Sequence, residues 1–138
     1  MINLLLGHKG SGKTKKLIDL THAAVDVSKG NVVCIEKGDT LTFGLDYNAR
    51  LINIEDYAVS GFDAFFGFLC GLCAGNYDIT DVLVDSTLKI GGKDMAALGG
   101  FITKLDKLAE SANVKFTLSV SADKEELPAG IEDITAVL

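Results

Sequence analysis

Eight residues near the start of the chain have types and spacing suited to holding phosphate. Gly7-His8-Lys9-Gly10-Ser11-Gly12-Lys13-Thr14 matches G-x-x-x-x-G-K-[ST] at every fixed position. Glycines open backbone conformations closed to residues with a Cβ, so successive N–H groups can point into a concavity of phosphate size. The N-terminus of a following helix adds unpaired N–H groups and the positive end of its dipole. In that setting Lys13 reaches the β- and γ-phosphate oxygens, and the Thr14 hydroxyl is suited to ligate Mg²⁺. Lys9 inside the loop, with Lys15 and Lys16 in the first helical turn, concentrates positive charge there. Cations in a first turn oppose the helix dipole, at about 0.3 kcal/mol or more each, unless an anion occupies the site.

This chemistry requires a strand before the loop and a helix after it. Ile2 to Leu6 is apolar except for Asn3 and stops at Gly7, which suits a buried strand of a parallel sheet. From Lys13 to about Lys29, Leu17, Leu20, Ala24 and Val27 recur at helical spacing, with Gly30 as the stop. Strands are expected at Asn31 to Glu36, Arg50 to Tyr57, Asp81 to Asp85, Lys115 to Ala122 and Ile134 to Leu138. Helices are expected from Gly61 to Gly75, apolar nearly all round, and from about Asp94 to Asn113. Alternation of this kind predicts an α/β fold of three layers, a mostly parallel sheet with helices on both faces, and a single domain over residues 1–138.

The loop resembles the Walker A motif of P-loop nucleoside triphosphatases. That resemblance implies the P-loop fold, ATP and Mg²⁺ as ligands, and nucleotide contacts from Gly7, His8, Lys9, Gly10, Ser11, Gly12, Lys13, Thr14 and Lys15. It further implies a carboxylate that holds Mg²⁺ at the end of a buried strand, and Ile79-Thr80-Asp81-Val82-Leu83-Val84-Asp85 looks like this Walker B strand. Lys13 and Asp85 would then be the catalytic pair, and Thr14 and Asp85 the metal ligands. Many hydrolytic members place a glutamate directly after the aspartate, but Ser86 and Thr87 stand here. Other branches take it from the end of a neighbouring strand, where Glu36 is the candidate and Asp39 and Glu55 are weaker ones. In the branch that this order resembles, a polar residue on the following strand senses the γ-phosphate, and Ser119 and Ser121 occupy that strand. Short chains labelled twitching-motility or pilus-retraction ATPases are also similar in general sequence type, although that family's acidic and histidine motifs have no counterpart here.

Composition limits the rest. A net charge of −6 argues against coating nucleic acid, since counterion release needs a contiguous basic face. Three cysteines and an opening without a basic segment or cleavage site point to reduced thiols in a cytoplasmic protein. The apolar stretch Gly61 to Gly75 is too short to span a bilayer, which takes about 20 residues. Within it, Cys70 and Cys73 form a C-x-x-C, more in keeping with small core residues than with redox or zinc chemistry. Thr103-Lys104-Leu105-Asp106 reads like a guanine-recognition motif but falls inside a helical period, which leaves ATP as the default over GTP. Arg50, the sole arginine, is a poor supply for a small-molecule kinase lid. The expected activity is weak ATP hydrolysis or an ATP-dependent switch acting with a protein partner or a second copy. The alternative is a regulatory subunit that binds nucleotide without turnover.

Overall fold

The computed structural model describes residues 1–138, with the side chains of residues 42 and 43 excepted. Its strands are β1 (Ile2–Leu6), β2 (Asn31–Glu36), β3 (Arg50–Asn53), β4 (Ile79–Val84), β5 (Lys115–Val120) and β6 (Thr135–Val137). Its α-helices are α1 (Lys13–Val27), α2 (Phe62–Gly75), α3 (Thr87–Gly91) and α4 (Met95–Ala112). The strands form one sheet in the order β3-β2-β4-β5-β1-β6, with every neighbouring pair parallel.

Successive side chains of a strand point to opposite faces, so an apolar run in a parallel sheet feeds two cores. Leu4, Val33, Ile35, Val82, Val84, Phe116 and Leu118 face one side, where Phe65 and Leu69 of α2 and Leu98, Ile102 and Leu105 of α4 cover them. Leu5, Val32, Cys34 and Leu83 face the other, against Leu17 of α1. Each such side chain contributes about 1.5–3 kcal/mol when fully buried. The three layers and the parallel sheet match the expectation from sequence, and β5 lies between β1 and β4.

The differences have local causes. The third strand stops at Asn53 because the Asn53 side chain accepts N–H bonds from Gly38 and Glu55, which turns the chain into a 3-10 turn over Ile54–Tyr57. Helix α1 ends at Val27 rather than Lys29; Ser28 leaves the helix and its hydroxyl meets that of Thr80. Gly30 is required by a close approach, since a Cβ there would lie 1.9 Å from the Asp78 carbonyl oxygen. Helix α3 was not expected, being five residues long and too short to show a period. At its end, a Cβ on Gly91 would lie 2.2 Å from the Phe62 ring.

The phenylalanine-rich helix α2 buries Phe62, Phe65, Leu69 and Cys73, and Phe65 stacks on Phe101 with ring centroids 5.6 Å apart. Among the described residues no helix is long and apolar enough to cross a membrane. Cys34, Cys70 and Cys73 are free thiols, and burial pushes that of Cys34 up to about 12. Among the described residues none of them belongs to a group of metal-ligating side chains.

Candidate phosphate-binding site

In a parallel sheet all strands end on the same edge, and the site is built there from the ends of β1, β4 and β5. Gly7 follows β1, and its N–H donates to the Ala122 carbonyl beyond β5 at 3.2 Å. Gly7, Gly10 and Gly12 have φ of 142°, 89° and 85°, a region where residues with a Cβ are strained. The turn is closed by the Ser11 N–H on the His8 carbonyl, and the Lys16 N–H on the Gly12 carbonyl begins the helical ladder. Loop and strand ends enclose a cavity of about 950 Å³.

His8, Lys9, Gly10, Gly12, Lys13, Thr14 and Asp85 line that cavity. The structure thus brings the loop and the strand-end carboxylate together across 71 positions of sequence: the Thr14 hydroxyl donates to Asp85 Oδ2 at 3.5 Å. Lys13 is buried, and its Nζ donates to the His8 carbonyl at 3.2 Å. Burial in the cavity wall holds its pKa below the ordinary lysine value; the Asp85 carboxylate opposes that shift and the Lys89 ammonium adds to it.

Asp85 is anchored from a second direction. The Ser119 hydroxyl, fully buried on β5, donates to Asp85 Oδ1 at 3.1 Å and accepts the Ser86 N–H at 2.8 Å. Ser86 itself sits at φ 53°, a left-handed conformation that costs a non-glycine residue on the order of 1 kcal/mol and is held by this bond. Ser121 of the same strand end also lines the cavity.

Of the sequence candidates, Gly7, Ser11, Lys15, Glu36, Asp39, Glu55 and Ser119 do not line the cavity. Gly7 and the exposed Ser11 approach each other across the turn, where a Cβ on Gly7 would come 2.5 Å from Ser11 Oγ. Lys15 is exposed on the first turn of α1. Glu36 closes β2 as expected, but its two carboxylate oxygens accept the N–H groups of Thr40 at 3.1 Å and Leu41 at 2.9 Å. Burial raises its pKa above the ordinary 4.5, partly offset by those two bonds.

Sequence reasoning missed Lys89, Lys93 and Glu126, which also line the cavity. The lysines ride on α3 and the link to α4, an element without a sequence period. Glu126 was legible in principle through the Asp123-x-x-Glu126 spacing of a helix start, and its carboxylate accepts the Asp123 N–H at 2.9 Å. Both acids hold His8, whose Nε2 lies 3.2 Å from Asp123 Oδ2 and 2.9 Å from Glu126 Oε1. The hydrogen bond to Asp123, then the charges of both acids, raise the His8 pKa.

Asp106 lies in the middle of α4, 2.9 Å from the Met1 amino group, rather than in solvent as a helical position predicts. Neither it nor Thr103 lines the cavity. Arg50 opens β3 and lines a different cavity, with Asn31 and Tyr57.

The fold is shared with a solved structure. PCH-2 of C. elegans superposes on 99% of this chain with a TM-score of 0.57 and 17% sequence identity. The chain spans about a third of that protein's length, 34%. No family model matches the chain, and no curated protein matches it.

Proposed function

We propose that the chain is a P-loop protein that binds Mg·ATP in this cavity and acts as an ATP-dependent switch, hydrolysing slowly at most, with a protein partner or a second copy. The observation that carries the reading is the Thr14 hydroxyl against the Asp85 carboxylate, at the mouth of a loop whose glycines adopt positive φ. Two oxygen donors of these types, on different elements, fit a hard cation such as Mg²⁺. The buried Lys13 ammonium, resting on a loop carbonyl, fits a phosphate oxygen in that carbonyl's stead. Bound there, Mg²⁺ would neutralise phosphate charge and orient the triphosphate. The chain's part is to cradle the phosphates on loop N–H groups, hold Asp85 through Ser119, and keep Lys13 charged beside Asp85.

A second reading, a regulatory subunit that binds nucleotide without turnover, is favoured by Glu36. Its oxygens are taken up by Thr40 and Leu41, and the residues after Asp85 are Ser86 and Thr87, so a base for the attacking water lacks an evident source. ATP is preferred to GTP because Asp106 lies on α4 and does not line the cavity. A small-molecule kinase is disfavoured because Arg50 lies on another cavity.

Calorimetric titration with Mg·ATP, run beside a phosphate-release assay on wild type and Lys13→Ala, tests the proposal. Wild type should bind and release phosphate slowly, and Lys13→Ala should lose roughly tenfold or more in affinity. Failure of wild type to bind at millimolar Mg·ATP would sink the reading, and binding with no release selects the regulatory subunit.

A further inference from the structure

The cavity extends past Lys13 to a second pair of lysines. Lys89, on α3, and Lys93, in the link to α4, line the same space as Lys13 and Asp85. Neither has a carboxylate within 4.0 Å among the described residues, whose ion pairs involve Met1, His8 and Lys104. The acids that line the cavity are already engaged, Asp85 by Thr14 and Ser119 and Glu126 by His8. Lys89 also lies near enough to Lys13 for its charge to push the Lys13 pKa down. A protein of net charge −6 therefore places two exposed lysines, without a carboxylate partner among the described residues, in the wall of the space beside its buried lysine.

The position of this pair is set by packing. Helix α3 starts directly after the Asp85-Ser86 strand end and finishes where Gly91 closes on the Phe62 ring, and Gly92 at φ 102° then turns the chain toward Lys93. Lys37, at the end of β2, donates to the Lys89 carbonyl at 3.4 Å and ties α3 to the same edge.

We infer that Lys89 and Lys93 recognise the third phosphate, making the site selective for nucleoside triphosphates over diphosphates. The inference rests on the phosphate-binding reading above. A diphosphate is satisfied by the loop N–H groups and Lys13; a third phosphate carries further negative charge away from the loop and toward the Asp85 strand end, where α3 begins. Arg50 cannot supply a cation to it from within the chain, because it lines a separate cavity. Two ammonium groups facing an anion at an effective dielectric near that of a protein surface are worth roughly tenfold or more in affinity.

The test is calorimetric titration with the non-hydrolysable analogue AMPPNP and with ADP, each with Mg²⁺. The proteins are wild type, Lys89→Ala/Lys93→Ala, Lys89→Arg/Lys93→Arg, and Lys107→Ala as an exposed control on α4. Wild type should prefer AMPPNP by roughly tenfold or more. The alanine pair should bind ADP as wild type does while AMPPNP falls to the ADP level, and the arginine pair and the control should keep the preference. The inference is overturned if the alanine pair keeps the preference, if both nucleotides weaken together, or if wild type binds ADP as tightly as AMPPNP. Wild type binding neither nucleotide would instead bring down the phosphate-binding reading itself.

Discussion

The Ser119 hydroxyl donates to Asp85 Oδ1 and at the same time accepts the N–H of Ser86. One buried oxygen thereby holds the carboxylate's orientation and the left-handed backbone that follows it. Ser119→Ala leaves the Ser86 N–H without this acceptor and frees one face of Asp85, which should cost about 1–3 kcal/mol of stability. Magnesium-dependent nucleotide affinity should fall with it. A chemical denaturation curve and a titration with Mg·ATP check both, and unchanged affinity would remove Ser119 from the site.

Glu36 gives a pH dependence of defined sign. Its pKa in the folded chain is raised above 4.5 by burial, so its protonated form is the one that folding favours. Its contribution to stability is complete below that ordinary value and is lost as pH rises through the raised one. Glu36→Gln should therefore flatten the stability profile just above pH 4.5. The same variant sets an NH₂ group against the N–H of Thr40 or Leu41 and should be less stable by about 1–3 kcal/mol throughout. Urea unfolding at several pH values reads both effects, and a parallel downward shift with no change of slope counts against the first.

His8 gives a dependence of the same sign in a higher pH window. Its folded pKa is raised above 6.5 by Asp123 and Glu126, so the link between the glycine loop and the segment after β5 is fully formed below 6.5 and is lost as pH rises through the raised value. Proton NMR should find the His8 midpoint above 6.5, and Asp123→Asn should lower it. A midpoint at or below 6.5 would break this account of the contact.

Gly91→Ala probes the seat of α3. A Cβ there meets three atoms of the Phe62 ring at 2.2 to 2.4 Å, so the ring or the helix has to move. Overpacking of this kind costs about 1–3 kcal/mol. Thermal melting should show the loss, while Gly67→Ala, in α2 with open space at its Cβ position, should not.

The glycine loop and Asp85 were legible because each is a local signature beside an apolar run, and the alternation of Leu4 with Leu5 or Val82 with Leu83 carried the two-faced sheet. Lys89 and Lys93 were not, because what matters about them is which cavity they enter, and a five-residue helix has no period to announce it. Glu36 was found by its place at a strand end, yet its hydrogen bonds to Thr40 and Leu41 depend on how the next turn folds back. Ser119 was named only through its strand's likeness to a γ-phosphate-sensing strand; its bond to Asp85 follows from the parallel register that sets β5 beside β4.

That β5 lies between β1 and β4 also bears on how the chain acquires its site. The glycine loop and Asp85 follow strands that are not neighbours in the sheet, and their separation is set by a strand synthesised later, Lys115–Val120. An emerging polypeptide that already contains both motifs still lacks the spacer that aligns them. Capture of nucleotide would therefore report that the sheet is complete, and a ligand at a hundredfold excess over its Kd would add about 2.7 kcal/mol to that state alone.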